Sequence, residues 1–88
     1  MLEVYSMYDN KADIYNKPMY VKNYLELTEA LQYTLAEDQG ENINAVDYEV
    51  YQLGEYYTST GKYELFDAPK HMGSLNMFNK KQGTENEG

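Results

Sequence analysis

The 88-residue chain has no cysteine, no tryptophan and no arginine, only one histidine (His71) and only two prolines. Each scarcity removes a class of chemistry. Without thiols there is no disulfide and no thiolate zinc site. A single imidazole cannot be joined by a second to hold zinc, and it is the only candidate base for Ser6, Ser59 or Ser74. Glycine-rich phosphate loops of the G-x-G-x-x-G or G-x-x-x-x-G-K kind are missing. Asp9, Asn10 and Asp13 lie close together but lack the glycine and the distal bidentate glutamate of a calcium loop. Carboxylates are plentiful in the middle of the chain, yet a pair acting on glycosides needs an enclosing cleft, which a chain this short can barely build. No apolar run approaches the roughly 20 residues of a membrane span, and the first residues lack the basic start and long apolar stretch of a signal peptide. The expectation is a soluble, cytoplasmic protein that is not an enzyme and takes no metal, no cofactor and no membrane as partner.

What is abundant is tyrosine, eleven in all, against two phenylalanines. Tyrosine combines buried area with a polar tip, which suits half-wet surfaces such as a thin sheet, a subunit interface or a base-stacking platform. The charge is also unevenly placed. The net charge is −8. Residues 1–23 and 58–88 each sum to zero. Residues 24–57 hold Glu26, Glu29, Glu37, Asp38, Glu41, Asp47, Glu49 and Glu55 and no base. Such a surface repels phosphate and favours basic or neutral partners, although a solvated, solubilising helix face needs nothing more.

Alternation predicts a strand over Leu2–Tyr8, with Leu2, Val4, Ser6 and Tyr8 on one face and Tyr5 and Met7 on the other. Ala12–Lys17 reads as a loop or frayed strand. Pro18 belongs at a strand start or edge. Met19–Lys22 reads as a short strand with Tyr20 and Lys22 facing away from Met19 and Val21. Asn23 is a good helix N-cap, with Glu26 at the capping-box position. Leu27, Leu31 and Leu35 then mark an apolar stripe on a helix of about 14 residues, stopped by Gly40. Glu37 and Asp38 fall in its last turn, where the helix dipole disfavours them.

Residues 41–47 read as a polar connection. Asp47–Phe66 carries a hairpin signature, large and polar residues alternating around Ser59-Thr60-Gly61. In its first strand, Tyr51 and Leu53 face one way with Glu49 and Glu55, and Tyr48, Val50 and Gln52 the other. Gly54 marks a bulge or a close backbone approach. Lys62–Phe66 is the returning strand, ended by Pro69. His71–Phe78 is left open between one helical turn and an extended arm. The tail from Asn79 has no large apolar residue and is expected to be disordered.

The expected fold is α+β, in the order β-β-α-β-β: a four-stranded antiparallel sheet with one helix on one face. Residues 1–78 form a single domain and 79–88 a disordered tail. Chains of this size bury only roughly 60 % of their unfolded surface and often gain stability from a partner. The helix can cover one sheet face only, so aromatics on the other call for a ligand or a second subunit, and a homodimer is expected.

Two blocks carry a family likeness. The first is Tyr8-Asp9-Asn10-Lys11-Ala12, followed by Pro18-Met19-Tyr20 and Asn23. The second is Asp47-Tyr48-Glu49-Val50-Tyr51-Gln52-Leu53-Gly54-Glu55-Tyr56, followed by Thr60-Gly61 and Pro69. In this order and separation they resemble the small non-structural protein of gokushovirus-type microviruses, the single-stranded DNA bacteriophages, over residues 1–78. The chain departs from that pattern at Met19, where an aromatic is usual, and between the helix and the next strand. The resemblance implies a non-structural role in infection, aiding viral DNA replication or packaging in the host bacterial cytoplasm, and it transfers no catalytic residue.

Two functions follow as expectations. The first is single-stranded DNA (ssDNA) binding, with Tyr20, Tyr51 and Tyr63 stacking on bases and Lys11, Lys17, Lys22 and Lys62 on phosphates. The second is a protein-interaction module, whose helix acids Glu26, Glu29, Glu37 and Asp38 dock a basic viral or host replication or packaging protein.

Overall fold

The structure, a computed structural model, describes residues 1–79. In chain order it has β1 (Leu2–Asp9), β2 (Ile14–Tyr15), β3 (Met19–Val21), α1 (Tyr24–Asp38), a 3-10 turn (Ala45–Asp47), β4 (Tyr48–Tyr57), β5 (Lys62–Ser74) and a closing 3-10 turn (Leu75–Phe78). The class is the expected α+β, one helix against an antiparallel sheet with strands before and after it. The strand count is five rather than four, because Ile14–Tyr15 forms a short strand within the segment expected to be a loop or frayed strand. The expectation of a disordered tail concerns residues that, from 80 onward, lie outside those described. Asn79 itself closes the last 3-10 turn, its N–H donating to the Asn76 carbonyl at 3.1 Å.

β1 is the central strand. β2 and β3 pair with successive parts of one edge, Tyr15 opposite Tyr8 and Tyr20 opposite Val4. Pro18 falls in the gap between them, so its missing N–H costs no ladder bond. β4 takes the other edge, from Leu2 opposite Tyr56 to Asp9 opposite Tyr48, and β5 lies outside β4. β1 runs antiparallel to both β3 and β4, so those two are parallel and α1 is the crossover that joins them.

Local signals explain the helix. The Asn23 side chain accepts from the Glu26 N–H at 2.8 Å. The Glu26 carboxylate reaches one residue beyond a standard capping box and accepts from the Lys22 N–H at 2.7 Å. At the other end Gln39 is left-handed (φ 54°), and its N–H bonds the Leu35 carbonyl. Gly40 follows at φ 74°. Asp38, expected to oppose the dipole, turns outward instead. Its carboxylate accepts from the N–H groups of Asn42 and Ile43 and fixes the loop that leaves the helix.

The apolar stripe does what its spacing predicts. Leu27 and Leu31 are buried with Tyr5, Val21, Ala45, Val50, Leu75 and Phe78, and Leu35 packs beside them. Burying a leucine fully contributes about 1.5–3 kcal/mol, so these two side chains are a large part of what docks the helix.

Two expectations about the hairpin are corrected. First, the register skips Leu53: Tyr5 is opposite Gln52, but Val4 is opposite Gly54. This bulge shifts the alternation, so Glu49 (opposite Tyr8) and Glu55 (opposite Glu3) lie on opposite faces, not together. Gly54 is required there. At φ 155° a Cβ would collide with the Glu64 carbonyl oxygen and lie 2.7 Å from Leu65 Cα. Second, Pro69 does not end the last strand. Gln52 pairs with Lys70 and Gly54 with Leu65, so residues 66–69 bulge out of the ladder and pairing resumes to Ser74. Pro69 is tolerated because it sits in that excursion, where no N–H is owed to β4.

Candidate nucleic-acid interface

Register and alternation sort the sheet side chains into two faces. The helix side holds the core and, at paired strand positions, the carboxylates of Glu3, Asp9, Glu55 and Glu64. The opposite side holds Tyr8, Tyr15, Tyr20, Tyr51, Tyr56 and Tyr63. Among the paired sheet positions of the described residues it holds one carboxylate, Glu49.

The tyrosines form two clusters. In one, Tyr20, Tyr56 and Tyr63 meet with ring centroids 4.8–6.3 Å apart. The hydroxyls of Tyr20 and Tyr63 share a hydrogen bond of 2.5 Å, which raises the Tyr63 phenol above its ordinary range. In the other, Tyr8, Tyr15 and Tyr51 pack edge to face at 4.8–6.3 Å, and the His71 ring lies 5.2 Å from Tyr51. Edge-to-face packing of this kind stabilises each pair by about 0.5–1.5 kcal/mol beyond area burial. Between the clusters Val4 and Ser6 are buried. Ser6 Oγ donates to the Asn16 carbonyl at 2.6 Å, which ties the end of β2 to the face. Tyr15, Tyr20 and Tyr63 stay 43–51 % exposed, so their rings remain available for stacking.

The predicted site residues are thereby divided. Tyr20 and Tyr63 come together, and Tyr51 stands in the other cluster. The lysines do not converge on the aromatic face. Lys11, in the turn after β1, pairs with Asp47 at 3.4 Å. Lys17 and Lys22 are exposed on either side of β3 and border the tyrosine edge. Lys62 stands opposite Tyr57 near the hairpin tip, at the end of the sheet away from Lys11. Two further tyrosines belong elsewhere. Tyr5 is buried in the core, and burial, followed by its bond to Glu3, raises its phenol far above the usual value. Tyr57 faces the helix side, where the charges of Glu64 and Glu55 raise its phenol.

Of the helix acids, Glu29 and Glu37 are exposed, with Tyr33 between them on the same stripe and 68 % exposed. Glu26 and Asp38 are occupied by the backbone bonds described above. The Asp38 carboxyl is held below its ordinary range, chiefly by the Ile43 N–H and then by that of Asn42.

His71 is the residue that sequence reasoning missed. Its Nε2 lies 2.6 Å from Glu49 Oε1 on the open tyrosine face, and its side chain is 54 % exposed. No periodicity pointed there, because the excursion at 66–69 erases the alternation that leads into it. Around the pair, among the described residues, stand the Tyr51 ring and the side-chain amide of Asn10, which donates to Glu49 Oε2 at 3.4 Å, and the imidazole is open to solvent. Among the described residues no group of three or more carboxylates and imidazoles is placed to hold a metal, and no helix is long and apolar enough to cross a membrane.

A protein-family model described as "Phage ORF5 protein" matches residues 2–78. Neither the curated proteins nor the solved structures yield a match.

Proposed function

The chain belongs to the Phage ORF5 protein family, and from that premise we propose that it is a non-enzymatic, non-structural phage protein that assists synthesis or packaging of viral single-stranded DNA by binding that strand on its tyrosine face. The observation that carries this reading is the segregation of six tyrosines onto a sheet face whose one carboxylate, at paired positions, is engaged by His71. Aromatic rings accept any base, and base–aromatic stacking contributes about 1–3 kcal/mol per base. The sequence likeness to gokushovirus-type microviruses supports a single-stranded genome as the target and the host cytoplasm as the place of action. Of the described lysines, Lys17 and Lys22, which border Tyr20, are the cations best placed for phosphates. Stacking therefore leads, and the salt dependence of binding is shallow, about 0.7 log units of affinity per log unit of salt for each phosphate neutralised.

Fluorescence anisotropy with labelled oligo-dT at low salt tests the reading. Saturable binding that weakens in Tyr20→Ala is expected. An unchanged signal up to high micromolar protein overturns it.

A second reading has one observation in its favour. Exposed Leu25 and Tyr33 accompany Glu29 and Glu37 on the outer helix face, a mixed apolar and acidic surface suited to a basic viral or host protein. Charge reversal at Glu29 and Glu37 separates the two readings: partner capture falls while oligo-dT binding is retained.

A further inference from the structure

The sheet has two edges, and they differ. The β2–β3 edge is two short strands interrupted by Pro18. The β5 edge is long and, among the described residues, unpaired on its outer side, and every residue from Lys62 to His71 is exposed. Its lower part is blunted by the excursion at 66–69 with Pro69. Its upper part, Lys62–Leu65, is regular, and Tyr63 and Leu65 there are 51 % and 62 % exposed. A regular edge with free N–H and C=O groups is a template for another strand.

We propose that the occupant is a second copy of this chain, paired antiparallel through Lys62–Glu64 about a two-fold axis at Tyr63. The argument is charge. Lys62 and Glu64 flank Tyr63 and lie on the same face of the strand. A two-fold at Tyr63 sets Lys62 opposite the partner's Glu64, and Glu64 opposite the partner's Lys62. Shifting the axis to Glu64 would oppose two carboxylates, which is destabilising. The axis stands normal to the sheet, so both tyrosine faces point the same way and the two Tyr63 rings meet at the seam. The Tyr20–Tyr56–Tyr63 clusters of the two copies then form one continuous aromatic surface. The pairing follows from the edge itself and stands whether or not the face binds DNA. It is short, so the dimer is weak and concentration-dependent.

Sedimentation velocity on the full chain from micromolar to several hundred micromolar tests this. A monomer–dimer equilibrium is expected. Lys62→Glu should weaken it at least about tenfold, because two attractive cross-strand pairs become repulsive. The double variant Lys62→Glu with Glu64→Lys should restore it. Circular dichroism and melting of each variant show that the fold is kept, and the double swap preserves net charge. A monomer at every concentration, or a dimer indifferent to both variants, overturns the proposal. Oligo-dT binding, measured in parallel below the dimerisation range, reports on the aromatic face separately.

Discussion

The two sides of the sheet are drawn from alternate residues of the same five strands and end up with opposite properties. The tyrosine side has six tyrosine rings and, at the paired positions of the described residues, one carboxylate. The helix side has four carboxylates at paired positions, the acidic helix, and tyrosines that are buried (Tyr5) or bonded to acids (Tyr57). A chain with a net charge of −8 can therefore still present a face on which a polyanion meets little repulsion. Net charge describes the molecule at a distance. Contact is governed by which side of a strand each carboxylate occupies.

That contrast can be broken most severely from the helix side. Leu31→Ala should destabilise the fold by about 2–5 kcal/mol in urea denaturation, because the buried leucines are what hold the acidic helix over one face. A loss well under 1 kcal/mol would mean that the helix is not the cover it is taken to be. The next effect is on recognition. Tyr63→Ala should cost about 1–3 kcal/mol of oligo-dT affinity, whereas Tyr33→Ala, which removes a still more exposed ring on the helix, should leave it unchanged. Equal losses at both positions would show that the faces are not distinct. The smallest effect concerns the helix end. The folded state depresses the Asp38 carboxyl, so its contribution is present above the unfolded value of about 4 and disappears as pH falls through the lower folded value. Asp38→Asn should therefore melt below the parent protein at pH 7, and the difference should shrink toward pH 3. A constant gap across that range would remove the ionised carboxylate from the account of this loop.

Much of the fold was legible because it is written in local signals. Asn23, the leucines at 27, 31 and 35, and the alternation of residues 2–8 each specify their element without help from distant parts of the chain. The tyrosine face was legible in pieces: Tyr8 shared a predicted face with Leu2, Val4 and Ser6, and Tyr20 stood opposite Met19 and Val21. The assembly of those pieces was not. Tyr20 meets Tyr63 across 43 residues only because β1 lies between β3 and β4, a strand order that no local signal encodes.

The sequence by itself determined where the helix starts, which of its residues are buried, and which faces of β1 and β3 carry Tyr8 and Tyr20, because capping and periodicity act over a few neighbouring residues. Tertiary structure alone decided that Glu49 and Glu55 part company across the bulge at Leu53, that β5 runs on past Pro69, and that His71 meets Glu49. Each depends on the register against a strand far away in the chain, and a slip of one residue moves every later side chain to the other face.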